Sequence, residues 1–163
     1  MDESERLLAE RGNGIRQHLR DYLETDGRVG YVRDMTAHGG IPAAVHLVLR
    51  TVGRKSGRVM LVPLTYTPWV DEFVLVASKG GSVKHPDWYL NLISRPEVEF
   101  QVRHKRFSGT WRIAEGEERQ ELWDYASTSF KGYATYQART ERRLPVVVLT
   151  ATGLIEEPWE QPA

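Results

Sequence analysis

Val45-His-Leu-Val-Leu-Arg-Thr-Val-Gly-Arg-Lys-Ser-Gly-Arg-Val-Met-Leu-Val-Pro-Leu-Thr-Tyr66 is two β-branched, apolar runs around a short polar connection. It predicts strands over 45–52 and 59–69. The connection is Gly53-Arg54-Lys55-Ser56-Gly57, with a glycine at each end for tight backbone angles. Pro63 and Pro68 mark a bulge, an edge or the end of the second strand. Strand follows strand with no helix between them. That order argues against a Rossmann unit, which alternates the two.

Downstream, residues 72–79 alternate Phe73, Leu75 and Ala77 against Val74, Val76 and Ser78, and Gly80-Gly81 then break the chain. Pro86 suits the first turn of a short helix over 86–94, and Pro96 stops it. Residues 97–103 and 105–114 predict a hairpin around His104, with Val98, Phe100 and Val102 on one face and Phe107, Trp111 and Ile113 on another. Helices are expected over 115–128, with acids in the first turn, and over 132–143. A last apolar strand is expected over 144–150. Upstream, residues 3–24 predict a helix, or two broken near Gly12-Asn13-Gly14, with Ile15, Leu19, Tyr22 and Leu23 on one face. Residues 27–42, with four Gly and one Pro, predict an irregular linker. The expectation is α+β: about six mostly antiparallel strands closed into a barrel at 43–150, a helix and linker at 1–42 and a polar tail at 151–163.

The chain has 163 residues, which suits one domain. With 40% hydrophobic and 27% charged residues it has an ordinary globular composition. No apolar run is long enough to span a bilayer, and the acidic N-terminus lacks a secretory h-region, so a cytoplasmic setting is expected. Cysteine is absent, which excludes disulfides and thiolate chemistry. The five histidines show no metal-ligand spacing, and no nucleophile elbow occurs. No metal is expected.

Net charge is zero, yet residues 35–86 hold six bases against two acids, a local charge of +4. A cationic segment in a neutral chain points to an anionic ligand or to chance clustering on a solvated face; nucleic acid is disfavoured. Within it, Arg54, Lys55 and Ser56 between two glycines offer several donors to one anion, or form a plain charged hairpin tip. Ala77-Ser78-Lys79-Gly80-Gly81 sits just before a helix N-terminus and allows close backbone approach by a ligand, or is simply a turn. Trp88 shares a helix face with Leu92, which favours burial, and Asn91 suits a ligand bond or a cap. Phe130, Tyr133 and Tyr136 form an aromatic stripe that is core or binding surface; Tyr136 could donate to a carbonyl or nitro oxygen.

In order along the chain stand Thr51-Val-Gly-Arg-Lys-Ser-Gly-Arg58, Pro63-Leu-Thr-Tyr66, Val76-Ala-Ser-Lys-Gly-Gly81, His85-Pro-Asp-Trp-Tyr-Leu-Asn-Leu92, Pro96-Glu-Val98, Tyr133-Ala-Thr-Tyr-Gln137 and Leu144-Pro-Val-Val-Val148. This pattern, over residues 43–150, resembles the deazaflavin-dependent nitroreductases, also described as F420H2-dependent quinone reductases, of actinobacteria. The resemblance implies a split β-barrel related to FMN-binding barrels, with reduced coenzyme F420 as hydride donor to a quinone or nitroaromatic. It implies Arg54, Lys55, Ser56, Gly57 and Arg58 at the cofactor's phosphate and tail. Pro63, Ala77, Ser78 and Lys79 would line its ring and linker, and Trp88 and Asn91 would touch the linker. Tyr66, Phe130, Tyr133 and Tyr136 would face the substrate, with Tyr136, Tyr133 and Ser78 as candidate proton or hydrogen-bond donors. In the nitroimidazole-activating member a tyrosine stands where Phe130 stands, so quinone reduction is the firmer expectation. The competing expectations are an FMN-binding flavoprotein, a deazaflavin carrier without activity, and a module in loose contact with the membrane surface; a homodimer fits the barrel type.

Overall fold

The computed structural model describes residues 3–160, with side chains from residue 13 onward. It opens on one continuous helix, α1 (Glu3–Glu24), with no break at Gly12 to Gly14. A glycine in a helix costs roughly 1 kcal/mol, too little to interrupt it when later turns are anchored. The anchor is Tyr22, fully buried, whose hydroxyl donates to the His46 carbonyl at 2.9 Å and accepts from the Arg103 N–H at 2.9 Å. His18 is the second buried residue of this face, whereas Ile15, expected there, is 51% exposed. The membrane-contact expectation falls on this helix, and the side chains of residues 3–12 lie outside those described.

Eight strands form one antiparallel sheet, two more than expected. They are β1 (Val32–Arg33), β2 (Ala44–Val52), β3 (Val59–Thr65), β4 (Thr67–Trp69), β5 (Glu72–Val76), β6 (Glu97–Val102), β7 (Lys105–Ile113) and β8 (Val146–Ile155). The expected strand over 59–69 is two, divided at Tyr66, because β3 pairs with β2 and β4 with β5. The order runs β1-β2-β6-β7-β8-β5-β4, with β3 also on β2. A chain that passes straight from β3 to β4 brings the two ends of this path together. The sheet therefore curls into a barrel that stays split along β3.

Strand alternation decides what fills each side. Leu47, Leu49, Leu75, Phe100, Val147 and Leu149 fill the barrel. Val74, Val76, Val146 and Val148 face outward, against α3 (Gly116–Ser129), α4 (Gly132–Ala138) and Leu144. β8 thus reads as an unbroken apolar run because both of its faces are covered. It is also longer than expected: the supposed tail begins with five more strand residues, up to Ile155 opposite Arg106, with Thr152 left unpaired at a bulge. The Arg106 guanidinium donates to the Glu156 and Glu157 carbonyls and holds the end down.

Two helices are shorter than predicted. α2 (Asp87–Ile93) begins after Pro86, which is extended and precedes the first turn. α4 stops at Ala138 rather than continuing to 143, because Gln137 turns back, donating to the Arg142 carbonyl and accepting from the Leu144 N–H. That turn delivers Arg142 to the site described next.

Candidate functional site

The β2–β3 connection is pinned rather than loose. The Gly53 N–H donates to Arg58 O at 2.7 Å and the Gly57 N–H to Gly53 O at 2.8 Å. Gly57 has a left-handed φ of 71°, the angle a side chain would resist. The Ser56 hydroxyl accepts from the Arg58 N–H at 3.1 Å, so it shapes the loop. Asn91, buried on α2, accepts from the Arg54 backbone N–H at 3.1 Å and from Arg54 Nη1 at 2.9 Å. Asp87, on the same helix, takes Arg54 Nη2 at 3.4 Å. Asn91 Oδ1 therefore positions a cation. Lys55 and Arg58 are exposed and have no carboxylate partner among the described residues.

The second motif is held by a residue that sequence reasoning passed over. Arg142 donates to the carbonyls of Ala77 (3.2 Å), Ser78 (2.7 Å) and Ser82 (2.7 Å), and to His85 Nδ1 at 3.0 Å. Within this clamp Lys79, Gly80 and Gly81 all have left-handed φ, at 45°, 63° and 80°. A side chain on Gly81 would collide with the Tyr136 carbonyl. The turn is thereby pressed against α4. Ala77 is fully buried, so it supports the loop rather than lining a cavity.

Between β3, β5 and the three flanking helices lies an open cavity of about 630 Å³. It collects Pro63, Ser78, Lys79, Trp88, Phe130, Tyr133 and Tyr136, seven of the residues singled out from sequence. Phe130 and Tyr133 stack with centroids 4.5 Å apart. The Tyr136 hydroxyl donates to the His38 carbonyl at 3.0 Å, whereas the Tyr133 hydroxyl has no partner among the described residues. Burial pushes the Tyr133 phenol up, so it stays protonated and can donate. Tyr66 does not line this cavity; it packs in the barrel core, its hydroxyl bonded to that of Tyr31 at 2.8 Å.

The loop cations stand outside the cavity, at the Val59 end of β3. Pro63 is five residues along from Arg58, about 17 Å of strand. α2 bridges the gap, turning Asp87 and Asn91 to Arg54 and Trp88 to the cavity.

The segment expected to be a linker closes the cavity's other wall. Arg33, Met35 and His38 line it together with Ile15 and His18 of α1. His18 and His46 meet edge to face at 5.0 Å, although neither their spacing nor their surroundings in sequence brings them together. Arg33 donates to His18 Nδ1, and Thr65 donates to His46 Nε2 at 2.9 Å while His46 Nδ1 faces the Tyr31 carbonyl. Both imidazoles are thus neutral. Burial, aided by His18, lowers the His46 pKa to about 4, and burial lowers that of His18 also. An unfolded histidine binds its proton near pH 6.5, so below that pH the unfolded chain gains protons that the folded one refuses. Stability is expected to fall by about 2 kcal/mol from His46 alone between pH 7 and pH 5. Urea unfolding across that range measures it; a flat profile would rule out the buried neutral pair. Among the described residues no group of three His, Asp or Glu side chains could hold a metal.

A sequence profile of the F420H2-dependent quinone reductase family matches residues 14–151. An F420H2-dependent quinone reductase of Mycobacterium tuberculosis is 37% identical over 140 residues, covering 83% of this chain and 89% of the relative. Among solved structures, an F420H2-dependent reductase (FDR-A) superposes with a TM-score of 0.58 at 39% identity, over 64% of this chain and 92% of that one. A second, described as a domain-swapped dimer, has a TM-score of 0.62 at 34% identity, over 82% and 94%.

Proposed function

Because this chain belongs to the F420H2-dependent quinone reductase family, we propose that its cavity and its β2–β3 loop are the two halves of one cofactor and acceptor site. The protein is an oxidoreductase that takes reduced coenzyme F420 as hydride donor and a planar electrophile such as a quinone as acceptor. The observation that carries the site assignment is the arrangement along β3: loop cations at one end, of which Lys55 and Arg58 have no carboxylate partner among the described residues, an open cavity at the other, and α2 touching both.

The residues suit the group. A planar ring with an anionic tail needs an apolar slot, polar backbone beside it, and cations one linker away. Pro63 and Trp88 offer the slot, the Ser78 to Gly80 turn offers the backbone, and Arg54, Lys55 and Arg58 offer the cations. When bound, the reduced deazaflavin supplies a hydride. Arg142 keeps the turn in register with α4. The aromatic stack of Phe130 on Tyr133 gives the acceptor a flat wall and excludes water.

Tyr133 is the best-placed donor to the acceptor oxygen that gains charge, with Ser78 second. The Tyr136 hydroxyl is already committed to His38. Tyr133→Phe is therefore expected to lower kcat by about 30-fold, and Tyr136→Phe by much less. Steady-state oxidation of F420H2 by a naphthoquinone tests this. Equal kcat in the native protein and Tyr133→Phe would remove the role, and no turnover in the native protein would remove the reading. A homodimer is part of the proposal, supported by the related domain-swapped structure, and so is a cytoplasmic setting, supported by the family.

A further inference from the structure

The register of β2 on β3 sets Val52 opposite Val59 at one end and His46 opposite Thr65 at the other. The two ends are about 20 Å of strand apart. With the cofactor's anionic end on the 53–58 loop, as proposed above, the Thr65 end of the cavity is left to the acceptor. That end is built by His46, His18 and Arg33.

Arg33 is an unusual cation. It is anchored, since its Nη1 donates to His18 Nδ1 at 2.7 Å and the opposite ring nitrogen of His18 donates to the Gly30 carbonyl at 2.8 Å. An arginine can only donate, so His18 Nδ1 must accept, and His18 is held in one neutral tautomer. The ring is buried and braced edge-on by His46. Yet the anchor brings no negative charge. Arg33 makes no ion pair among the described residues. Asp34, the carboxylate that also lines the cavity, is folded back onto Thr36, accepting from its N–H at 2.9 Å and its hydroxyl at 2.7 Å. A carboxylate anchor would have spent the charge of Arg33 internally. A neutral imidazole fixes the guanidinium and leaves its charge and remaining N–H groups for a ligand.

We propose that Arg33 is a specificity-determining residue that selects acceptors bearing an anionic oxygen, such as an ionised hydroxyquinone, and that His18 is its positioning residue. This rests on the reductase reading. It adds a cation at the acceptor's end, distinct from the loop cations at the cofactor's end. Arg33 grips the anionic oxygen directly, and the aromatic wall of Phe130 and Tyr133 takes the quinone ring.

The test compares 2-hydroxy-1,4-naphthoquinone, ionised at neutral pH, with uncharged 2-methyl-1,4-naphthoquinone. Binding to the protein without cofactor is read by quenching of tryptophan fluorescence, to which Trp88 in the cavity contributes. Turnover with F420H2 is measured alongside. Arg33→Gln is expected to weaken binding of the hydroxyquinone about tenfold and to raise its KM similarly with little change in kcat. The methylquinone should change less than about twofold. Arg33→Lys, which keeps the charge, should retain most of the preference, and His18→Gln should lose it in part. Equal losses for both quinones in Arg33→Gln, or equal native affinity for both, would overturn the subsite while normal methylquinone turnover left the reductase reading standing. No turnover of either quinone by the native protein would overturn the reductase reading, and this proposal with it.

Discussion

Arg54 and Lys55 changed together to Ala should weaken binding of oxidised F420 about a hundredfold, with the fold intact. Two charge-assisted contacts to phosphate or carboxylate oxygens contribute roughly 1.5 kcal/mol each, and their sum corresponds to that factor. The loop is already shaped for the task. Its backbone closes on itself through Gly53, Gly57 and Ser56, so little ordering is left for binding to cost. Arg54 is preorganised by Asn91, and its pairing with exposed Asp87 at 3.4 Å is long and easily surrendered. Affinity should also fall with added salt in the native protein and much less in the double variant. A fluorescence titration with each protein reads both effects. Affinity unchanged by the double substitution would detach the loop from the cofactor. A large fall in Tm would instead mark Arg54 as structural; little loss is expected, because Asn91 Oδ1 keeps the Arg54 backbone N–H as its donor.

Arg142→Met is expected to be the most damaging single change away from the ligand surfaces. One guanidinium serves three carbonyls and a histidine in the 77–85 turn, and methionine keeps the bulk without the donors. The site is only half-buried, so water can take over some of these bonds. A stability loss of about 2 kcal/mol, or a Tm about 6 °C lower, is the expected cost. The functional cost should be larger. The turn holds Lys79 at a left-handed φ that a non-glycine residue resists, and releasing it moves Ser78, Lys79 and Gly80 off the cavity wall. Binding of F420 and turnover should fall together, by more than tenfold. Thermal unfolding and the same titration separate the two. Full activity with a lowered Tm would mean that the turn keeps its shape without the clamp.

The strands were legible because their alternation is local: Phe73 and Leu75 against Val74 and Val76 is visible in five residues. The cationic loop was legible for the same reason, its glycines and charges lying within one hairpin. What sequence could not supply was anything assembled from distant segments. Arg142 looked like one more charge after a helix, and only the turn at Gln137 aims it at residues 64 positions away. His18 and His46 come together because β1 pairs with β2 and α1 lies over that corner. The 27–42 segment looked like a linker because its glycines carry no periodicity, yet two residues of it add a strand and three more wall the cavity. The family resemblance alone puts Tyr66 at the substrate; here the chain turns from β3 to β4 and the ring packs in the barrel core.

α2 is seven residues long and touches both halves of the site, Asp87 and Asn91 on the loop side, Trp88 on the cavity side. It works as a ruler. Two weak grips held at a fixed separation act as one bivalent clamp, and the second grip is rewarded at high effective concentration only when the ligand's linker matches the span. With loop and cavity as the two halves of one site, as proposed, the barrel is expected to select by molecular length as well as by ring and charge: a ring without its tail, or a tail on a shorter tether, would meet each grip separately and lose the advantage of holding both.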